Sequence, residues 1–216
     1  MTDEVITFPD ERAYMYNDPD LSIQKTDPKE VHRPRWRNRY KKCIQLAENH
    51  DGRWLDVACG SGYGTELISQ VADYVLGVDI DSKTICYARK HHGSKSNIEF
   101  ANKDIMCLSE LEEGKGKYDI VISVETIEHI PDAKPFLKKV SQLLTSNGTF
   151  VVTTPESQVG GGKNPHNKFH CNEYTYLQFS NILKSIFNEV HITTEKAFFS
   201  TGLETVQMYA VCKSRK

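Results

Sequence analysis

The 216-residue chain has no apolar run long enough to cross a bilayer. It also lacks a leader pattern at its start, namely a charged segment, a short apolar segment and a small-residue cleavage site. A cytoplasmic protein is therefore expected. Its 6 cysteines are scattered, with no C-x-x-C and no paired spacing. That pattern excludes a disulfide framework and reads as reduced thiols. Neither sign of charge dominates: Lys and Arg number 27, Asp and Glu 29, for a net charge of -2. Without a global basic field, a nucleic-acid substrate is disfavoured, although it stays open. There is no internal repeat or long low-complexity segment. What remains is an ordinary globular composition, 38% hydrophobic and 26% charged, in a chain long enough for one domain with a sizeable core.

The most informative stretch is Trp54-Leu55-Asp56-Val57-Ala58-Cys59-Gly60-Ser61-Gly62-Tyr63-Gly64-Thr65. An apolar run ends in an acid and is followed by alternate glycines, which reads as a buried parallel strand, a tight turn and a helix start. Glycine there admits unusual backbone angles and lets a ligand approach the main chain. Dinucleotide folds use a similar turn, but their spacing is G-x-G-x-x-G and this one is G-x-G-x-G. Asp56 would repel a pyrophosphate and suits an ammonium group. A second apolar run, Tyr74 to Val78, ends at Asp79, about 20 residues beyond the turn, where an acid holds a ribose diol. An acid for an amine and an acid for a ribose describe S-adenosylmethionine better than NAD.

On these residues, LDVACGSGYG and GVDI, the chain resembles the class I S-adenosylmethionine-dependent methyltransferases, most specifically from Arg39 to Pro155. The resemblance implies an α/β, Rossmann-like fold: a seven-stranded, mostly parallel sheet with helices on both faces and a C-terminal antiparallel hairpin. It implies that Asp56, Ala58, Gly60 and Gly62 line the methionine part of the cofactor and that Asp79, with Ile80 beside it, binds the ribose. Asp104 and Ile105 inherit contacts to the adenine, and Val124 ends the strand whose tip abuts the cofactor. Related sugar and quinone enzymes carry an arginine, before the sheet, that reaches the cofactor carboxylate. Arg39 is the choice for it, with Arg37 as rival.

Along the chain, residues 1–30 are polar and broken by prolines and read as an irregular arm, and 31–216 are expected to form the methyltransferase domain. His32 to Lys42 is a dense basic cluster that is either a solvated helix face or an anion site for cofactor carboxylate or substrate phosphate. Asp81 or Ser82 is expected to cap a helix that frays at His91-His92-Gly93, leaving both histidines exposed. Tyr118 to Val124 reads as a central strand. The helix opened by Asp132 is expected to end at Asn147-Gly148. Thr175-x-x-Gln178 reads as a capping box. Gly160 to Gly162 mark a loop on the substrate side.

The sharpest chemical pattern is Glu125-Thr126-Ile127-Glu128-His129, directly after the fourth strand. Positions i, i+3 and i+4 share a face of a helical turn, so two carboxylates and an imidazole are expected to converge. Such a set suits a divalent cation, Mg²⁺, Mn²⁺ or Zn²⁺. His166 or His170, beyond the fifth strand, would complete the shell, and His170 is preferred. Two other readings stand beside the metal: His129 as a general base without metal, or a purely structural turn. E-x-x-E-H with a distant histidine resembles the small-RNA 2'-O-methyltransferases and the quinone and sugar O-methyltransferases. The segment NPHNKFH before Glu173 looks most like bacterial sugar or polysaccharide O-methyltransferases. The expected activity is O-methylation of a sugar hydroxyl in a nucleotide-sugar or polysaccharide, a saccharide that bears phosphate. RNA 2'-O-methylation, quinone or phenol O-methylation and a catalytically silent cofactor-binding module are the alternatives.

Overall fold

A computed structural model describes residues 33–48, 51–104, 117–165, 167, 169–198 and 204–213. The expected arm, Ile105 and His166 lie outside them. Seven strands form one sheet in the order β3-β2-β1-β4-β5-β7-β6. They are β1 Arg53–Val57, β2 Tyr74–Asp79, β3 Ile98–Asn102, β4 Tyr118–Val124, β5 Leu144–Pro155, β6 Glu189–Phe198 and β7 Glu204–Lys213. β1 to β5 are mutually parallel, and β7 runs antiparallel to both β5 and β6. The strand order reverses between β1 and β4. In such a sheet the ligand crevice lies beyond the carboxyl ends of the strands at that point.

The central strands are covered on both faces, which is why they read as continuous apolar runs. Alternate residues part to opposite sides. Trp54, Val75, Ile122 and Val151 pack with α1 (Arg33–Leu46), α2 (Tyr63–Ile68) and α3 (Ser82–His92). Leu55, Leu76, Val121 and Phe150 pack with α4 (Ala133–Leu143) and α5 (Tyr176–Lys184). On that side Phe150 stacks on Phe187 with ring centroids 5.6 Å apart. The seven strands, the helices on both faces and the antiparallel C-terminal pair are those the sequence implied.

Local signals account for the helix starts. Asp81 caps α3 by accepting from the backbone N–H of Lys83 and Thr84, and Asp132 caps α4 through Lys134 N–H. Thr175 and Gln178 form the reciprocal capping box of α5. Two expectations are corrected. Asn147-Gly148 does not end α4. The helix stops at Leu143, Leu144 already has extended angles, and both residues lie within β5. His92 is buried rather than exposed, and its Nδ1 lies 3.3 Å from the Glu66 carboxylate.

Candidate active site

The β1–α2 turn is held from below. Asp56 is 0% exposed, and its two oxygens accept the Tyr40 hydroxyl (3.0 Å) and the Thr65 hydroxyl (2.7 Å). It therefore ties α1 and α2 to the end of β1 and has no exposed surface to offer an ammonium group. Burial raises its pKa to about 7 against the pull of both hydroxyls. Asp79 pins the turn from the side. Its carboxylate accepts the N–H of Gly60 (3.0 Å) and of Asp81 (2.9 Å), and burial pushes its pKa up. Asn102, a residue that pattern reading passed over, donates to the carbonyls of Asp79 and Ile80 and joins the tips of β2 and β3.

The glycines divide the work. Gly60 (φ +55) faces open space, so a ligand can lie against its backbone. Gly62 (φ +91) is the residue before α2, and a Cβ there would meet Ala88 and Phe100 at 2.8 Å. Gly64 has ordinary angles, but a Cβ would fall 2.1 Å from the Tyr40 ring, so it is needed for helix packing. Ala58 also has positive φ, 57°, a strain that clusters at ligand sites. Ile80, 59% exposed, flanks Asp79, and Asp104 and Val124 are half-buried at the tips of β3 and β4.

At the tip of β4 the E-x-x-E-H residues separate. Glu125 has φ 51°, and only Ile127–His129 form a short 3-10 turn. Glu125 Oε1 accepts from the Thr153 hydroxyl (2.8 Å) and Gln207 Nε2 (2.6 Å), and its Oε2 lies 3.1 Å from Arg39 Nη1. Glu128, 1% exposed, accepts instead from the Thr154 hydroxyl (3.1 Å). Thr153 and Thr154 are consecutive on β5 and face opposite sides of the sheet, so the two glutamates do too. The shared face expected for Glu125, Glu128 and His129 is thus corrected: the positive φ at Glu125 breaks the helical register.

Glu128, His129 and His170 do converge, with one ligand atom from each lying within 4.8 Å of the others. His129 Nδ1–H donates to the Phe169 carbonyl (2.8 Å), since a carbonyl can only accept. His170 Nδ1–H donates to the Glu173 carboxylate (2.5 Å), which Asn164 steadies from 2.7 Å. Each ring is thereby anchored through Nδ1, as the rings of metal-binding histidines are. Burial lowers the His129 pKa, which keeps the ring neutral. Burial, and then the Glu125 charge, raise the Glu128 pKa well above the usual carboxylate range. Glu173 was legible as a residue three beyond His170, while Thr154 and Gln207 carried no signal that would separate them from other strand residues.

Residues 48–196 match the family model described as a methyltransferase domain. The chain belongs to the class I S-adenosylmethionine-dependent methyltransferases. A Mycolicibacterium smegmatis protein named a probable S-adenosylmethionine-dependent methyltransferase is 30% identical over 187 residues, covering 85% of this chain and 70% of that protein. The ubiquinone biosynthesis O-methyltransferase of Bradyrhizobium diazoefficiens is 36% identical over 103 residues, 47% of this chain and 39% of that protein. This methyltransferase therefore spans well under half the length of that relative. Its fold is matched by the N-methyltransferase NodS of Bradyrhizobium japonicum with bound S-adenosyl-L-homocysteine: TM-score 0.67, 14% identity, 94% of this chain and 95% of that one. The expected enzyme class, and S-adenosylmethionine as its cofactor, are thus shown. No helix among the described residues is long and apolar enough to cross a membrane.

Proposed function

We propose that this methyltransferase transfers its methyl group to a hydroxyl oxygen, that the acceptor is a sugar hydroxyl, and that Glu128, His129 and His170 hold a divalent cation at the transfer site. The observation that carries the reading is the convergence of one carboxylate and two imidazole nitrogens, each ring anchored through Nδ1. This donor set fits a cation: one buried carboxylate and two anchored histidine rings are ligand types that divalent metals take. Two imidazoles favour Zn²⁺ or Mn²⁺ over Mg²⁺, which prefers oxygen ligands. A divalent ion there would acidify the acceptor hydroxyl and fix its position.

The chain's own residues would do the rest. The sulfonium methyl is already activated, so alignment of the acceptor supplies much of the remaining rate. The Gly60 turn receives the methionine part, Asp79 the ribose, Ile80 and Asp104 the adenine side, and Arg39 the cofactor carboxylate. The ammonium group goes to backbone carbonyls of the turn, with Asp56 supporting that turn from inside. Asn164, bonded to Glu173, and Asn172, whose backbone N–H donates to the Glu128 carbonyl, bring side-chain amides to the cluster, groups suited to a saccharide. A phosphate on the saccharide would meet the basic side of α1, where Lys42 pairs with Glu195 at 2.8 Å.

A phenol or quinone acceptor is the second reading. The identity to ubiquinone biosynthesis O-methyltransferases favours it, as do the exposed Val159, Tyr176 and Leu177 near the same loop. A panel of nucleotide-sugars, polysaccharide fragments and catechols separates the two by which one takes label from S-adenosylmethionine. Chelation should abolish turnover, and Mn²⁺ or Zn²⁺ should restore it. Undiminished turnover in metal-free protein would move the role to His129 as general base.

A further inference from the structure

We infer that Glu125 serves the cofactor rather than the cation: it is the positioning residue that holds Arg39 over the methionine end of the cleft. The inference rests on the proposal that Arg39 meets the cofactor carboxylate. Glu125 sits at the tip of β4, next to the β1 turn across the point where the strand order reverses. Its backbone is left-handed, a state that persists only when its surroundings over-determine it. They do here. Thr153 accepts from the Glu125 N–H at 3.2 Å and returns its own hydroxyl to Oε1, and Gln207, 1% exposed, donates to the same oxygen. Only Oε2 remains, and it takes one nitrogen of the Arg39 guanidinium.

A guanidinium has five donors in a planar fork, so one oxygen of Glu125 sets its orientation and leaves donors for a second carboxylate. The side chains of Arg39 and Glu125 are 15% and 22% exposed, which makes the pair open to a ligand yet largely out of water. Tyr40, the next residue, is locked by Asp56 and by its fit over Gly64, so α1 has no freedom to carry Arg39 elsewhere. The E-x-x-E spacing therefore divides its acids: Glu128 toward the acceptor side, Glu125 toward the donor.

The test is calorimetric binding of three probes, S-adenosylhomocysteine, 5'-methylthioadenosine and Mn²⁺, to the wild type, Glu125→Gln, Arg39→Gln and the double variant. Methylthioadenosine lacks the amino-acid part, so it reports the rest of the site. Glu125→Gln should weaken homocysteine-nucleoside binding about tenfold. Methylthioadenosine and Mn²⁺ binding should stay unchanged. Arg39→Gln should weaken the same probe further, and the double variant should match it, because the two residues act as a unit. Gln207→Ala should reproduce the Glu125→Gln pattern at smaller size, which guards against a variant that misfolds. Loss of Mn²⁺ on Glu125→Gln would make Glu125 a metal ligand and overturn the inference. So would equal weakening of both nucleosides, or tighter binding of the full one. An Arg39→Gln variant with unchanged binding would instead remove the premise about Arg39.

Discussion

Glu173 accepts the Nδ1 proton of His170 at 2.5 Å, three residues along the same loop. That contact holds the His170 ring in place beside Glu128 and His129. If the cluster binds a cation, Glu173 orients one of its ligands without touching the ion. Glu173→Ala should then lower Zn²⁺ affinity by roughly 10- to 100-fold, the usual effect of losing such a partner. Glu173→Gln should fall between, because its carbonyl still accepts. Zinc titration of the two variants decides it, and equal affinity in all three proteins would show that the loop backbone alone sets the ring.

The glycines at 60 and 64 should fail in different ways. A methyl at Gly64 would meet the Tyr40 ring at 2.1 Å, so α1 must shift. Overpacking of this kind costs about 1–3 kcal/mol. In a chain of this size that lowers Tm by roughly 3–10 °C. A methyl at Gly60 meets nothing within 4 Å, but φ there is +55. Gly60→Ala should therefore lose only about 1–2 kcal/mol of stability, while homocysteine-nucleoside binding weakens by a larger factor than in Gly64→Ala. Thermal melts and calorimetry on both variants would show the crossover.

Much of this was legible in the sequence because the signals were local. The apolar runs ending in Asp56 and Asp79 marked buried strands and their tips, and Thr175 with Gln178 marked a helix start. The convergence of Glu128, His129 and His170 was legible for the same reason, as ligand types at a strand tip and in the loop of a neighbouring strand. What misled was context. Helical spacing put Glu125 on the face of Glu128, but a left-handed backbone and the alternation of Thr153 and Thr154 put it on the other. Asp56 looked like a ligand contact because it ends a strand, and two hydroxyls from α1 and α2 claim it instead. Asn147-Gly148 looked like a helix stop, yet α4 had already given way to β5.

Asp56 should leave a trace in the pH dependence of stability. Burial raises its pKa in the folded protein from the ordinary 3.8 to about 7. Between those values the folded state holds a proton that the unfolded chain has released, so stability falls as pH rises. The contribution is complete below pH 3.8 and is lost as pH passes through about 7. Asp56→Asn cannot titrate, and its amide oxygen still accepts a hydroxyl. The variant's Tm relative to wild type should therefore improve between pH 5 and pH 8, by about 2–8 °C if about 1–2 kcal/mol of linkage is recovered. A constant difference across that range would mean that Asp56 keeps its charge when buried.

Glu128 allows a sharper test, because its two states predict opposite signs. Without a cation it is a fully buried acid whose pKa burial and the Glu125 charge both raise, so its ionised form opposes folding at neutral pH. Glu128→Gln keeps an oxygen to accept the Thr154 hydroxyl and removes that burden, and the metal-free variant should melt no lower than wild type. Adding Zn²⁺ or Mn²⁺ at about 100 times its Kd should stabilise wild type by about 2.7 kcal/mol, which corresponds to roughly 5–10 °C. The variant should gain far less, because a neutral amide is a poor replacement for a carboxylate ligand. The order of the two melting temperatures should thus reverse between chelated and metal-loaded protein. A site built only for packing would give the first half of this result and not the second, and a site in which His129 acts alone as base would show no response to metal in either protein.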